Sequence, residues 1–240
     1  MAVKEYSFLV FRFDPKIDQE PHFDPFTLKM DESQSALGAL MEIQDSLDPS
    51  LAFRYSCRGA VCGSCAMSVN GSLILACKTL LSALPPGIII VEPLPNLEIQ
   101  KDLVVDMEPF WKAYEEIEPW LQAEGLSPEK EYKISEEERS RIDQFVNCIL
   151  CACCYGACPV IGRDAEYLGP AALAKLYRFV GDVRDRRDHT RLKEIDRQQG
   201  VWGCDTVFRC IDACPKEVRP ADGIAALRRT LVTRKFGSKR

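Results

Sequence analysis

The stretch CILCACCYGACP, residues 148–159, sets five cysteines within eleven positions, and the whole chain of 240 residues holds twelve. No other feature constrains the fold as strongly. Cysteines at this density serve either as disulfides or as metal-bound thiolates, and the two uses belong to different redox compartments. The start, MAVKEYSFLVFRF, carries Lys4 and Glu5 and then a short apolar run that includes Arg12 and lacks a small-residue cleavage site, so it reads as no export signal. The expectation is a chain on the reducing side of a membrane that uses cysteine to hold metal.

Spacing sorts the cysteines into three groups. Cys57-x4-Cys62-x2-Cys65, inside SCRGAVCGSC, has the loop spacing of plant-type 2Fe-2S ferredoxins. Cys77 follows twelve residues on. A two-residue turn at Asn70-Gly71 would pair Val69 with Ser72 and Cys65 with Ala76, which brings Cys77 beside Cys65. Gly59 and Gly63 suit a loop whose backbone N–H groups must approach sulfide closely. A zinc site of the same four thiolates is the alternative, although zinc sites more often show paired C-x2-C knuckles.

Cys148-x2-Cys151-x2-Cys154-x3-Cys158-Pro159 fits the bacterial ferredoxin run, in which the fourth cysteine ligates the other cluster. A second copy exists with one defect: Cys204-x2-Val207-x2-Cys210-x3-Cys214-Pro215 has valine where the second cysteine belongs. Crossing the fourth ligands gives a set of four, Cys148, Cys151, Cys154 and Cys214, and a set of three, Cys158, Cys204 and Cys210. A cubane without a thiolate at one corner tends to lose that iron, so the sets predict a 4Fe-4S and a 3Fe-4S cluster. Cys153 is left over as a small buried hydrophobe. A disulfide within CILC is the competing reading, but two registered copies of one motif argue against a thioredoxin-like site.

With 46% apolar and 28% charged residues the chain can bury one large core or two modest ones, and two domains are expected. The apolar run LLSALPPGIIIV is broken by Pro85 and Pro86 and is shorter than the roughly 18 residues of a membrane helix. Net charge is -5, yet Lys216 to Arg240 hold eight Lys plus Arg against Glu217 and Asp222, which is +6 and leaves -11 for the rest. That basic end is either a solvated tail or a contact for anionic headgroups or a membrane subunit. Nucleic acid is not expected, because the basic residues are not interleaved with stacking aromatics.

Residues 1–105 read as strands with one helix. SFLVFRF and the alternation of Phe26, Leu28 and Met30 are strand signals, and IIIV at 88–91 reads as a buried-type strand. Leu37, Leu40, Met41 and Leu47 recur at helical spacing behind Asp31 or Ser33 as cap. VEPLPN at 91–96 looks like the start of a connection. From 106 onward the chain turns helical. Ser135 and Glu138 form a capping box ahead of Ile142, Phe145, Val146, Ile149 and Leu150, a helix that would end at Cys148. Pro170 opens a helix closed by Gly181, and a last one spans about 221–233 with Ile224, Leu227 and Leu231 on one face.

Three clusters in one chain suggest a wire. No nucleophile-base set and no Gly-rich phosphate loop after a strand is present, and the two histidines, His22 and His189, read as surface residues. No catalytic residue is expected on this chain.

The motifs SCRGAVCGSC with ACKT (76–79), CILCACCYGACP, GPAAL (169–173), GVWGC (200–204) and CIDACPKEVRP (210–220) resemble the iron-sulfur subunit of fumarate reductase and succinate dehydrogenase, the complex II family, over nearly the whole chain. The resemblance implies an α+β architecture: a plant-type 2Fe-2S ferredoxin (β-grasp) domain over 1–105, then an all-α bacterial-ferredoxin-like domain over 106–240. It implies an FAD-containing flavoprotein partner, where fumarate and succinate interconvert, and a membrane-anchor cytochrome b partner with haem b and quinone. The chain would be a peripheral subunit on the cytoplasmic face of the inner membrane. The 2Fe-2S cluster would face the flavin and the 3Fe-4S cluster the quinone. The resemblance also implies quinone-proximal positions at Pro159, Trp202, Asp205, Val207 and Arg228; a core role is the alternative for Trp202, and a solvated or lipid-facing one for Arg228. Ubiquinone-linked members tend to place tryptophans soon after the cysteine-proline and a histidine directly after the cysteine at 204; Gly162, Arg163 and Asp205 stand here instead, which favours a menaquinone-linked enzyme of the fumarate reductase type.

Overall fold

The computed structural model describes residues 3–123 and 130–237, with the side chains of Asp188, His189 and Phe236 outside that description. The expectation for the His189 side chain, and the part of the basic end formed by Lys239 and Arg240, therefore lie outside the described residues. The chain divides into two compact units: Met1–Met107 together with Ile149–Gly156, and Glu108–Cys148 together with Ala157–Arg240. The return of residues 149–156 to the first unit has no signal in composition or periodicity.

In the first unit β1 (Val3–Arg12), β2 (His22–Asp31), β3 (Ala66–Val69), β4 (Ser72–Leu75) and β5 (Ile88–Glu92) form one sheet in the order β2-β1-β5-β3-β4. β1 pairs antiparallel with β2 and parallel with β5, Phe8 lying beside Phe26 and Ile89. Period-two alternation sends Phe8 and Val10 into the core, where Leu40, Ile43, Met67 and Leu75 meet them in burial. The IIIV run is half-buried rather than wholly buried: Ile89 and Val91 point inward, while Ile88 is 56% exposed. A sheet packed against a helix on one face needs apolar residues only at alternate positions.

Helix α1 (Ala36–Ser46) lies against β2. Its cap is Ser35, whose hydroxyl accepts from Gly38 N–H at 3.1 Å, not Asp31 or Ser33. Those two form a local turn instead, Asp31 accepting from the amide and hydroxyl of Ser33 at 2.8 and 2.6 Å. Beyond β5 a small pair, β6 (Ile99–Lys101) and β7 (Val104–Val105), presents Asp102 at its turn. The Asp102 carboxylate is 2% exposed and accepts from Arg12 Nε (3.2 Å), Phe13 N–H (3.1 Å) and Ala52 N–H (2.9 Å). The same guanidinium donates to Asp24 (3.0 Å), Ser50 (2.8 Å) and Asp48. Four stretches of chain, 12–13, 24, 48–52 and 102, are thus tied at one buried ion pair.

The elements assigned in the second unit are helical: α2 (Glu108–Glu116), α3 (Glu136–Ser140), α4 (Asp143–Val146), then, after the turn α5 (Cys153–Gly156) that belongs to the first unit, α6 (Gly169–Val180), α7 (Asp188–Ile195), α8 (Arg209–Asp212) and α9 (Pro220–Gly237). The capping box is present: Ser135 and Glu138 exchange hydrogen bonds at 2.9 and 3.2 Å. The helix it starts does not run to Cys148. It breaks at Arg141 and Ile142, and α4 is over by Val146. Ile142 and Phe145 are buried, Val146 is 51% exposed, and Leu150 takes a left-handed φ of 56° that no helix accommodates. Pro170 stands in the first turn of α6, and Gly181 closes it. Helix α9 begins at Pro220 and extends to Gly237, longer at both ends than its apolar stripe indicated. The described part of the basic end is therefore helix rather than tail, with Lys235 paired to Asp196 at 2.6 Å.

Candidate metal centres

The first cysteine loop is shaped by alternating left-handed residues. Arg58 (φ 54°), Ala60 (56°) and Gly63 (75°) turn successive N–H groups toward one side, a concavity suited to anions. The Cys57 sulfur accepts from Gly59 (3.3 Å), Val61 (3.4 Å) and Cys62 (3.3 Å) amides, and the Cys62 sulfur from the Cys57 amide at 3.5 Å. Hydrogen bonds from the Cys57 amide and from Ser64 draw the Cys62 thiol down to about 6. The Asn70-Gly71 hairpin forms in the expected register, Val69 beside Ser72, with Ala76 N–H donating to Cys65 O at 3.1 Å. It brings the Cys65 and Cys77 side chains into hydrogen-bonding contact, while burial pushes the Cys65 thiol up to about 11. The set Cys57, Cys62, Cys65 and Cys77 is one neighbourhood, and donors aimed at its sulfurs fit a cluster bound through thiolates.

Gly63 does more than turn the chain. A Cβ there would stand 2.9 Å from both Cα and Cβ of Cys151 and from Ile149 O, so the loop touches the segment 149–156 where Gly63 lacks a side chain. That segment repeats the alternation, with Leu150 at φ 56° and Ala152 at 64°, and α5 follows. Asn96 Nδ2 donates to Gly156 O at 2.8 Å, tying α5 to the end of VEPLPN. Cys153 is fully buried, and its thiol and amide donate to the Cys151 sulfur, which lowers the Cys151 thiol to about 7. In the second unit Cys148 and Cys214 pack on one cluster with Phe145, Ala174 and Val218.

The third set is assembled wholly in the second unit. Cys158, Cys204 and Cys210 line one cavity with Pro159, Tyr167 and Val207. Burial pushes the Cys158 thiol up against donation from the Val160 and Ile161 amides. Burial likewise pushes Cys210 up to about 11, although the Ala221 amide at the N-terminus of α9 donates to its sulfur. The Cys204 sulfur accepts from Thr206 N–H at 3.4 Å. Thr206 (φ 58°) and Phe208 (61°) flank Val207 as Leu150 and Ala152 flank Cys151. Donors on all three sulfurs fit a cluster held by three thiolates. Among the described residues no three His, Cys, Asp or Glu side chains converge as a single-ion site requires.

Of the positions expected near quinone, Pro159, Asp205 and Val207 line that cavity. Trp202 and Arg228 are not among the lining residues. Trp202 Nε1 donates to Asp196 at 2.7 Å. Arg228 donates to the carbonyls of Val201 (3.0 Å) and Cys204 (2.6 Å) and to Thr206 Oγ1 (3.2 Å), so it fastens the loop that carries Cys204. Arg163 pairs with Asp205 at the surface. His22 is half exposed beside Asp24, in keeping with a surface residue. Sequence reasoning missed Tyr167, which lines the third cavity from a loop with no motif of its own, and Asp102, whose role depends on partners 50 and 90 positions away. It also passed over the shared backbone turns around Cys151 and Val207, although the register of the two motifs marked both positions.

Residues 7–112 match a family model described as a 2Fe-2S iron-sulfur cluster binding domain, and residues 144–218 match a 4Fe-4S dicluster domain. The fumarate reductase iron-sulfur subunit of Haemophilus influenzae is 41% identical, over 90% of this chain and 88% of its own length. The succinate dehydrogenase iron-sulfur subunit of Paracoccus denitrificans is 36% identical, over 95% and 88%. A chain of the apo-form Sdh1 complex of Mycobacterium smegmatis has the same fold, with a TM-score of 0.87, 23% identity and 98% of both chains covered. The alternating turns, the cysteine neighbourhoods and these likenesses converge: this chain belongs to the family of iron-sulfur subunits of fumarate reductase and succinate dehydrogenase.

Proposed function

We propose that the chain is the electron-transfer subunit of a membrane-bound quinol:fumarate reductase of the menaquinone-linked type, able in principle to run as a succinate:quinone oxidoreductase. Cys57, Cys62, Cys65 and Cys77 hold a 2Fe-2S cluster; Cys148, Cys151, Cys154 and Cys214 a 4Fe-4S cluster; Cys158, Cys204 and Cys210 a 3Fe-4S cluster. The domains are a β-grasp ferredoxin over 1–105 and an all-α dicluster domain over 106–240. The clusters supply one-electron transfer, and the chain contributes no dicarboxylate site.

The chain's own residues hold thiolates, aim N–H donors at sulfur and exclude water around Cys65, Cys154 and Cys210, all of which are buried. The observation that carries this reading is the sorting of the cysteines: Cys158 of the first ferredoxin run lines the cavity of Cys204 and Cys210 from the second run. The partners are an FAD flavoprotein and a membrane-anchor cytochrome b with haem b and quinone, the chain lying peripherally on the cytoplasmic face. Pro159, Trp202, Asp205, Val207 and Arg228 are the quinone-proximal positions, of which Pro159, Asp205 and Val207 line the cavity of the third cysteine set. Among the described residues no helix is long and apolar enough to cross a membrane, which is compatible with an anchor on another chain.

The test is low-temperature EPR at stepped potentials on the complex purified from membranes. Three distinguishable signals, one of them present in the oxidised state, together with co-purifying flavin and haem, are expected. A soluble monomer without flavoprotein, or zinc in place of iron, would end the reading.

A further inference from the structure

Tyr167 is 2% exposed and lines the cavity of Cys158, Cys204 and Cys210. Its ring rests on Gly203, where a Cβ would stand 2.8 Å from Cδ2 and 3.2 Å from Cε2, so the residue ahead of Cys204 is bare where the ring passes. The backbone on both sides is fixed, Tyr167 N–H donating to Asp164 O at 3.2 Å and Leu168 N–H to Gln199 O at 2.9 Å. The phenol therefore has little freedom, and its hydroxyl lies within reach of the Cys204 sulfur in the cavity that both residues line. A phenol O–H directed at that sulfur is a second donor for it besides the Thr206 amide.

We propose that Tyr167 is a positioning residue that orients Cys204 by a phenol-to-sulfur hydrogen bond and raises the reduction potential of the cluster that Cys158, Cys204 and Cys210 hold. The inference rests on the ligand set proposed above. Reduction adds one electron, and part of that negative charge falls on the thiolate sulfurs. A donor already aimed at one of them stabilises the reduced form more than the oxidised form. The O–H bond stays intact throughout: no proton leaves the phenol, and no bond to sulfur is made or broken. Sequence gives no hint of this, because Tyr167 lies outside both cysteine runs and only the fold brings it to Cys204.

The experiment is a redox titration of the oxidised-state EPR signal in the intact complex, wild type against Tyr167→Phe, which keeps the ring and removes only the hydroxyl. The expected result is a retained signal with a lower midpoint. At the wild-type midpoint the oxidised-to-reduced ratio should rise by about tenfold, which for one electron is about 59 mV. The 2Fe-2S midpoint, measured in the same samples, should not move. An unchanged third midpoint would overturn the inference while leaving the ligand set intact, and so would loss of the signal in Tyr167→Phe, because the hydroxyl would then be needed to hold the cluster rather than to set its potential. Absence of any three-iron signal in the wild type would overturn ligand set and inference together.

Discussion

Val207 and Cys151 occupy the same backbone slot. Each lies between two residues of positive φ, Leu150 (56°) and Ala152 (64°) around the cysteine, Thr206 (58°) and Phe208 (61°) around the valine. The second motif has lost a sulfur but kept the turn that would aim one. Val207 is 49% exposed at the rim of the cavity, so a thiol there meets no packed core. Val207→Cys is expected to convert the three-iron site to a four-iron site: the oxidised-state EPR signal should disappear, a signal of the reduced state should replace it, and iron analysis should show added metal.

Cys153 is the cysteine that the proposed ligand sets leave out. It is fully buried in α5, and its thiol and amide donate to the Cys151 sulfur. Cys153→Ala should leave iron and sulfide content unchanged and lower stability by about 1 kcal/mol, the usual scale of a small buried truncation. Loss of the 4Fe-4S signal in that variant would show that residue 153 binds iron.

Gly63 and Gly71 share a φ of +75°, yet only Gly63 faces a neighbour. Gly71→Ala should cost about 1–2 kcal/mol for the left-handed backbone alone. Gly63→Ala carries that strain and must also push Cys151 and Ile149 away, for which a further 1–3 kcal/mol is the usual scale of overpacking, so about 2–5 kcal/mol in all. Urea denaturation of the two variants measures the difference, and equal losses would mean that the contact with Cys151 is soft.

The ion pair of Arg12 with Asp102 joins β1 to the chain leading into the first cysteine loop through Ala52. Asp102→Ala leaves the guanidinium with Asp24, Asp48 and Ser50 but orphans the amides of Phe13 and Ala52. Each buried amide left without its acceptor costs about 1–3 kcal/mol, so about 2–6 kcal/mol for the two. Thermal or urea unfolding should show a loss of that order, with the 2Fe-2S absorbance bleaching early in the transition.

Local patterns were legible where the sequence itself carries the geometry. The Asn70-Gly71 turn, the capping box at Ser135 and Glu138, and Pro170 in the first turn of α6 each depend on neighbours within a few positions, and each is found as read. Spacing also anticipated that Cys77 lies beside Cys65 and that Cys158 joins Cys204 and Cys210. What was not legible depends on distant partners. The apolar period through Ile149 and Leu150 continues the helix on paper, but those residues line the turn that presents Cys151, and Leu150 is left-handed. Ser35 displaced Asp31 and Ser33 as cap because the latter two close a turn on each other. The bonds of Arg228 to the carbonyls of Val201 and Cys204, 27 and 24 positions away, have no local signal either.

The return of Ile149–Gly156 to the first unit bears on how the protein is made. A ribosome that has just released Met107 has delivered every strand of the sheet, but not the strip that fills the space beside Gly63 and Pro95. Closure of that unit waits for another fifty or so residues, about 3–10 seconds at ordinary elongation rates. Until then its cysteine loop stays open on the side where Gly63 will meet Cys151 and Ile149.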